Sequence, residues 1–403
     1  MTDRTYTVLR DLADARLDEP FGGGRASAPR QPGPSEPRVD VAVLNKDEVR
    51  DLVRDPAVRA VAPVMPTQLI FPVPDGEIDG TAGSGSSAAA SGSTWGVSAV
   101  GADTSSRTGA GVVPCVLDTG IDASHPAFAG VELVEEDFSG SGNGDRQGHG
   151  THCAGTVFGR DVDGTRIGVA PGVTKALIGK VLGDNGSGDS DMIFRGIQWA
   201  VQQGAQVISM SLGFDFPGLV KRLIGQGWPA ELATSAALEA YRANLRMFDA
   251  LMELVRSQSA FGPGTILVAA SGNESKRNVD PDFEIAASLP AAADGVVSVG
   301  ALQEAASGLT IASFSNTFPQ IAGPGVGVIS AKAGGGLVAF NGTSMATPHV
   351  AGVAALWWEE VGGSPLPLSA SVVSSRLLAN ADTTALDAGV DVADRGVGLV
   401  KAP

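Results

Sequence analysis

Three polar residues, far apart in the chain, have the types and the order needed for nucleophilic catalysis by a serine. Asp118 follows an apolar run, His149 stands between two glycines, and Ser344 precedes a stretch rich in alanine and valine. Asp, then His, then Ser is one of the known chain orders of a catalytic triad. In a triad the carboxylate orients the imidazole, which takes the hydroxyl proton as the oxygen attacks a carbonyl carbon. The residues therefore predict acyl transfer through Ser344.

A fourth residue, Asn273, could stabilise the charge that develops on the attacked carbonyl oxygen. Its amide would donate a hydrogen bond alongside the backbone N–H of Ser344, at the start of a predicted helix. Each residue also has a simpler interpretation, since Ser-Gly-Asn is favourable turn chemistry and a serine often caps a helix. The coherent order of all four groups favours catalysis.

Two other kinds of catalytic site can be weighed from the same residues. Asp118 begins an Asp-Thr-Gly sequence, which is typical of aspartic proteases, but those enzymes need two carboxylates and no second such sequence occurs. His149 and His152 are close enough in the chain to suggest zinc, yet a His-Glu-x-x-His pattern is absent and no third ligand is evident. Both alternatives are disfavoured, and we expect His125, His152 and His349 to be structural.

From Trp95 onward, short apolar runs alternate with stretches of helical spacing, which predicts an α/β fold. Apolar runs bounded by Gly or polar residues are typical of parallel strands buried on both faces, so we expect three layers around a mostly parallel central sheet. Asp118 and Asn273 each follow a predicted strand and should lie at the carboxyl edge of the sheet. The predicted strands are Val112–Leu117, Lys175–Leu182, Val207–Leu212, Ile266–Ala270 and Val296–Val299, and the predicted helices are Ile193–Gln203, Glu231–Gln258 and Thr347–Glu360.

A small α+β unit precedes this region. Val39–Leu44 and Val58–Val64 read as strands, and Asp47–Asp55 between them has helical spacing. Segments 20–37 and 75–94 are rich in Gly, Ser and Pro, as loops and linkers are. We therefore expect an N-terminal unit at 1–74, a linker at 75–94, and a catalytic domain at 95–403.

The bulk composition excludes some partners. Lys and Arg number 28 against 44 Asp and Glu, and the resulting net charge of −16 disfavours nucleic acid and anionic membranes. No apolar stretch approaches the roughly 20 residues of a membrane span. Two cysteines cannot form a disulfide framework, and the first residues lack the pattern of a secretory signal, so we expect a cytoplasmic protein, with secretion as the open alternative.

At these four segments the chain resembles the subtilisin-type serine proteases, the subtilase family. The resemblance runs from about Trp95 to the C-terminus. It implies that Asp118, His149 and Ser344 form the triad of a serine endopeptidase, and that Asn273 completes the oxyanion hole. A protein or peptide substrate would then lie extended between two strands. The residues that the resemblance assigns to substrate binding are Gly186, Ser187, Ser211, Leu212, Gly213, Ala270, Ser271 and Gly272.

The N-terminal unit resembles a subtilase propeptide, most clearly from Leu44 to Pro66. This implies an intramolecular inhibitor that also assists folding and places its tail in the cleft. We therefore expect a zymogen that cuts itself between about Pro66 and Trp95. No acidic residue is evident at the base of the predicted side-chain pocket near Ala286 to Ser288, which favours an apolar residue before the cut.

The chain departs from simple subtilisins after Gly213, where about 214–240 forms an insertion. A long amphipathic helix should cross this region, either covering the core or forming a lid or binding surface at the cleft. Its predicted apolar face comprises Leu238, Tyr241, Leu245, Phe248, Met252 and Val255.

The resemblance leaves calcium open and predicts two buried thiols. The family's calcium site takes a carboxylate just after a His-Pro pair, whereas Ala127 stands there; the loop Arg160–Thr165 could still offer oxygen ligands. No cofactor is expected for the chemistry itself. Cys153 matches a cysteine variant of the family's histidine motif, and it and Cys115 are expected to be free and buried.

Two other functional classes remain to be separated from an endopeptidase. The chain could be a non-catalytic binding module on the same scaffold, although its complete triad argues against this. It could also be an esterase or transpeptidase that uses the same acyl-enzyme. Labelling of Ser344 by a fluorophosphonate tests the first, and comparison of peptide with ester substrates tests the second.

Overall fold

The computed structural model describes residues 3–12, 36–74, 92–258 and 262–403 of the chain. Most of the predicted linker at 75–94 therefore lies outside the described residues, as does most of the 20–37 segment. In chain order the strands are β1 Arg4–Asp11, β2 Pro37–Leu44, β3 Val58–Pro63, β4 Pro66–Leu69, β5 Pro114–Asp118, β6 Glu132–Asp137, β7 Lys175–Lys180, β8 Ser187–Asp189, β9 Val207–Met210, β10 Leu212–Phe214, β11 Ile266–Ala270, β12 Val296–Ala305, β13 Gly308–Ile311, β14 Ile321–Pro324, β15 Val328–Ala331 and β16 Leu337–Phe340. The α-helices are α1 Lys46–Leu52, α2 Trp95–Ala99, α3 His149–Phe158, α4 Ser190–Gln202, α5 Phe216–Gly225, α6 Ala230–Gln258, α7 Thr343–Gly362, α8 Ala370–Ala379 and α9 Val392–Arg395.

The central sheet confirms the predicted α/β class. Its strands follow the order β13-β12-β11-β9-β5-β7-β6, with β14 paired to β12, and every pair except β12–β13 is parallel. β5 lies between β9 and β7, so Asp118, its last residue, reaches the carboxyl edge near the middle of the sheet. That edge is where parallel sheets collect functional side chains.

Helices cover both faces of this sheet because its inner strands, β5, β9 and β11, are mostly apolar and completely buried. Within β5, Val116 joins the hydrophobic cluster that contains α3 and α7, whereas Cys115 and Leu117 join the cluster that contains α4 and α6. Alternate side chains of a strand point to opposite faces, so an unbroken apolar run needs a layer on each side. The result is the predicted three-layer arrangement. Among the described residues, no helix combines the length and apolar character that crossing a membrane requires.

The N-terminal unit contains a strand that the sequence pattern did not indicate. β1 is the middle strand of an antiparallel sheet with the order β2-β1-β3, and α1 follows β2. Polar residues interrupt β1, which therefore lacks a clear alternation, and its pairing partners lie far along the chain. Its strand conformation depends on those long-range hydrogen bonds.

A short strand, β4, follows β3 and connects the N-terminal unit to the rest of the molecule. It lies antiparallel between β8 and β10, with Gln68 opposite both Ser187 and Gly213. Because β4 is only four residues long, its sequence does not identify it as a strand; the two flanking strands impose the extended conformation.

The insertion after Gly213 forms two helices, α5 and α6. The long helix is present as predicted, but Leu238 on its predicted apolar face is 48% exposed. In the first half of α6 the buried positions are instead small or polar, and this half packs against β3 of the N-terminal unit through Asn244, whose amide donates to Pro63 O at 2.9 Å. Phe248 and Met252 in the second half are buried in the core. The helix therefore serves both the core and the contact with the N-terminal unit.

Candidate active site

Asp118 and His149 form a buried pair at the carboxyl edge of the sheet. Nδ1 of His149 lies 2.9 and 3.0 Å from the two carboxylate oxygens of Asp118, and both side chains are almost completely buried. Asp118 Oδ1 also accepts from the N–H of Thr119 at 2.7 Å. A buried carboxylate needs such partners, and the pairing leaves Nε2 of His149 to act on a substrate or nucleophile.

His149 begins α3, a helix that the sequence pattern did not predict. The helix approaches the turn after Asp118 so closely that a Cβ atom on Gly150 would lie 2.2 Å from Gly120 O. Only glycine permits this approach, which accounts for the glycine after His149.

Asp145 links the two sides of the Asp118–His149 pair. Its carboxylate accepts from the hydroxyl of Thr119 at 2.9 Å, from Gly148 N at 2.7 Å, and from Thr151 N at 2.9 Å. The turn that carries the aspartate is thereby tied to the helix that carries the histidine. Sequence reasoning missed this residue, although Asp before a glycine-containing turn is a recognisable Asx-turn signal.

Ser344 lies in the first turn of α7, and a proline four residues later shapes its surroundings. Helical spacing predicts a start at Thr347, but the helix begins at Thr343, and Pro348 therefore lies inside it. Proline has no N–H for the carbonyl four residues earlier, which is Ser344 O. That carbonyl instead accepts from Ser211 Oγ at 3.1 Å and from Cys153 Sγ at 3.5 Å. The proline thus frees a carbonyl that anchors Ser344 to β9–β10 and to α3.

Asn273 follows β11 and presents its amide group to the cleft. Its Oδ1 accepts from the N–H and the hydroxyl of Thr343 at 2.9 and 2.8 Å, which directs Nδ2 towards the cleft. There Nδ2 donates to Phe71 O at 3.0 Å. Together with the backbone N–H of Ser344 in the first turn of α7, this arrangement can stabilise an oxyanion.

The end of β4 and the residues directly after it, 69–71, occupy the cleft and are called the cleft segment below. Leu69 N donates to Gly186 O at 2.8 Å, and the hydroxyl of Ser344 donates to Ile70 O at 2.9 Å. In the described part of the chain, the buried Nε2 of His149 has no hydrogen-bond partner. Ser344 therefore directs its proton to a peptide carbonyl while the imidazole nitrogen that could accept that proton stands open.

The residues that the sequence assigned to substrate binding line this occupied cleft. Gly186 and Ser187 lie at β8, on one side of β4; Leu212 and Gly213 lie in β10, on the other side. A Cβ atom on Gly213 would lie 3.6 Å from Cγ1 of Ile70, an ordinary van der Waals distance, so this position faces the Ile70 side chain directly. Ser211, Ala270, Ser271 and Gly272 are also placed at the same edge, where β9 and β11 end.

The pKa values of the buried histidines separate one candidate base from two structural rings. Burial lowers the pKa of His149, but the charge of Asp118 opposes this and holds it above the ordinary histidine value. Burial, reinforced by the charge of His149, lowers the pKa of His152 to about 3, and burial lowers that of His349 to about 4. His152 and His349 are therefore neutral near neutral pH, and only His149 of these three can exchange a proton there.

Cys153 lies directly beside the Asp118–His149 pair. Its sulfur is 3.7 Å from Nδ1 of His149, and burial raises the pKa of the thiol. Both cysteines are buried free thiols, as predicted. Within the described residues, Asp118, His149 and Cys153 are the one group of His, Cys, Asp and Glu side chains whose ligand atoms are close enough to share a metal ion. A thiol kept protonated and a nitrogen already bound to a carboxylate suit proton transfer better than metal binding.

Comparisons with known proteins cover this part of the chain. A family model described as "Subtilase family" matches residues 109–399. Subtilisin DY from Bacillus licheniformis is 36% identical over 278 residues, which are 68% of this chain and 84% of that protein. The thermostable alkaline protease of Halalkalibacterium halodurans is 32% identical over 323 residues, 78% of this chain and 71% of that protein. The major intracellular serine protease of Bacillus subtilis is 31% identical over 304 residues, 73% of this chain and 83% of that protein.

Proposed function

Since this chain belongs to the subtilase family and is a serine endopeptidase, we propose that Ser344 is its nucleophile, with His149 as general base and Asp118 as the group that orients it. His149 Nε2 takes the proton of Ser344 Oγ as that oxygen bonds to the substrate carbonyl carbon. The negative charge that develops on the carbonyl oxygen is stabilised by hydrogen bonds from the Asn273 amide and the Ser344 N–H. The imidazolium then protonates the leaving amine, and water hydrolyses the acyl-enzyme.

One observation carries this assignment. Nδ1 of His149 is hydrogen-bonded to Asp118, while Nε2 has no hydrogen-bond partner among the described residues, and the Ser344 hydroxyl lies 2.9 Å from the carbonyl oxygen of Ile70. A fluorophosphonate probe should label the wild-type enzyme once, on the peptide that contains Ser344. The Ser344→Ala variant, confirmed as folded by circular dichroism, should not be labelled. Labelling of another serine would refute the assignment.

The enzyme is also proposed to be a zymogen that cuts itself after Ile70. β4 is paired on both edges, as an extended substrate would be, and the carbonyl nearest the nucleophile belongs to Ile70. For attack, Ile70 O must move from the Ser344 hydroxyl towards the Asn273 amide, which now binds the next carbonyl, Phe71 O. The uncut segment would therefore inhibit the enzyme until that shift occurs.

Intact-mass measurement during incubation of the purified protein tests this proposal. The wild type should yield a product that begins at Phe71, while Ser344→Ala stays at full length. A catalytic amount of cut wild type, added to Ser344→Ala, should release the same product if the bond is accessible in trans. Persistence of full-length wild type that nevertheless degrades casein would show that no such processing step exists.

An apolar side chain before the scissile bond is the proposed preference. Ile70 is almost fully buried against the position of Gly213. Ile70→Val should therefore process at nearly the wild-type rate, whereas Ile70→Asp should process at least about tenfold more slowly because a charge would be buried without a partner. Equal rates for the two variants would contradict the preference.

We further propose that the reaction needs no cofactor and that the protein acts in the cytoplasm. Two relatives are named intracellular serine proteases, and both cysteines here are unpaired. Brief treatment with EDTA should leave the initial rate of peptide hydrolysis unchanged, while any calcium bound for stability would show as a lower Tm. Activity assayed in cell fractions would test the location.

A further inference from the structure

One buried side chain, Asn316, holds the turn that carries Asn273. Asn316 lies between β13 and β14, is completely buried, and contacts neither the cleft segment nor the triad through any hydrogen bond found among the described residues. The turn itself, Ser271–Ser275, follows β11 and has no regular secondary structure. The hydrogen bonds that hold its backbone must therefore come from residues outside the turn.

Asn316 binds the residues that precede Asn273. Its Nδ2 donates to Ser271 O at 3.0 Å, and its backbone N–H donates to Gly272 O at 3.1 Å. These two carbonyls belong to the first residue after β11 and to the residue directly before Asn273, the proposed oxyanion donor.

Asn316 also binds the residues that follow Asn273. Its Oδ1 accepts from Glu274 N at 3.1 Å and from Ser275 N at 3.0 Å, and its Nδ2 donates to the Glu274 carboxylate at 2.7 Å. Of the five residues in Ser271–Ser275, Asn273 is thus the one that Asn316 does not bind.

The backbone of Gly272 is an independent sign that this contact sets the turn. Gly272 has φ of +115°, a conformation that side chains rarely adopt, and a Cβ atom there would lie 2.2 Å from Asn316 Nδ2. The turn therefore approaches Asn316 as closely as a glycine allows. This close contact fixes the position of the next residue, Asn273, and the direction of its side chain.

We propose that Asn316 is a positioning residue for transition-state stabilisation. It acts through Asn273 by fixing the backbone on both sides of it, so that Nδ2 already points to the site of the oxyanion before substrate binds. This inference rests on the proposed role of Asn273. Preorganised donors stabilise charge without reorganisation during the reaction, so a loose Asn273 should lower kcat and leave KM almost unchanged.

A double-mutant cycle on the cut enzyme tests the proposal. Asn273→Ala should lower kcat by about 10²–10³, the magnitude known for such a donor in subtilisin. Asn316→Ala should lower kcat by about 10- to 100-fold with KM within about twofold, and should weaken a peptide boronic acid inhibitor to a similar extent. In the Asn273→Ala background, Asn316→Ala should lower kcat by no more than about twofold.

Matched variants separate positioning from loss of stability. Asn244→Ala removes another fully buried asparagine, on α6, and should leave kcat of the cut enzyme unchanged. Asn316→Asp retains the acceptor oxygen but loses the donor. If Asn316→Ala does not fold, Asn316→Asp takes its place, and its kcat loss is compared in the wild-type and Asn273→Ala backgrounds. Equal kcat losses from the Asn316 substitution in both backgrounds would overturn the proposal. An unchanged kcat in Asn273→Ala would instead refute the proposed oxyanion donor.

Discussion

At the scale of single residues, His149 combines two opposing influences. Burial disfavours its charged form, while the carboxylate of Asp118 favours it, and the net effect is a raised pKa. Removal of the cleft segment would reduce the burial of His149, and its pKa would still lie above the ordinary value because burial is the influence that lowers it. In the proposed mechanism, the carboxylate that orients the base thus also determines the pH at which the base becomes available.

The pH profile of peptide hydrolysis should report this pKa. His149 must be neutral to accept a proton, so kcat/KM should rise with pH, with a midpoint above the ordinary histidine value of about 6.5. His152 and His349 are already neutral in this range and cannot produce the transition. Stopped assays from pH 5 to 10 would measure the profile, and a midpoint below that of a free histidine would contradict the predicted direction.

Cys153 should make the enzyme sensitive to mercurials. A mercury atom on Sγ would lie against the imidazole and the carbonyl of Ser344, which the sulfur now contacts. We expect inhibition of the wild type and of Cys115→Ser, but not of Cys153→Ser. Residual activity after treatment with a mercurial would measure this, and full activity of the treated wild type would argue against the placement of Cys153.

At the scale of elements, α6 has two functions along one helix. Its first half uses small residues and Asn244 to contact β3, whereas its second half places large apolar residues in the core. Phe248 lies 4.6 Å from Phe194 and 5.8 Å from Phe214, measured between ring centroids. The long helix that begins in the insertion is therefore an integral part of the fold and not only a surface addition.

Replacing Phe248 should show this directly. Phe248→Ala should lower the free energy of unfolding by about 3–5 kcal/mol, because a fully buried ring leaves a cavity. Leu238→Ala on the same helix, where the side chain is 48% exposed, should change it by less than about 0.5 kcal/mol. Urea denaturation of Ser344→Ala versions avoids self-digestion, and similar losses for the two substitutions would exclude the core function of α6.

At the scale of the whole molecule, two buried neutral histidines tie stability to pH. His152, on α3, faces the β15–β16 hairpin, where its Nε2–H donates to Val328 O and its ring stacks on Phe340. His349 lies in α7, bonded to Met345 O. In the unfolded chain both would titrate near 6.5, whereas folding lowers their pKa values to about 3 and about 4.

The free energy of unfolding should consequently fall as the pH drops from about 6.5 towards 4. In this window the unfolded chain binds protons at both positions and the folded chain does not, so acid favours unfolding. His149, whose pKa folding raises, adds an opposing slope near pH 6.5 but is protonated in both states below about pH 6. Urea denaturation of Ser344→Ala at pH 6, 5.5 and 5 would measure the change, and constant stability across this range would contradict the burial of the two rings as neutral groups.

The sequence alone determined the chemistry and the class of fold. The motifs around Asp118, His149, Asn273 and Ser344 and the continuous apolar runs are local patterns, and the order of the motifs along the chain can be read without the fold. The α/β class and the membership of the subtilase family agree with those patterns.

Tertiary structure alone decided which segments pair and what supports the site. β1 and β4 are extended because distant strands bind their backbones, and the first turn of α7 is bonded to Asn273, a contact that periodicity does not register. The roles of Asp145 and Asn316 likewise depend on turns that lie far from them in sequence. Hydrogen bonds between remote segments leave no periodic trace in a single chain, so only the folded molecule reveals them.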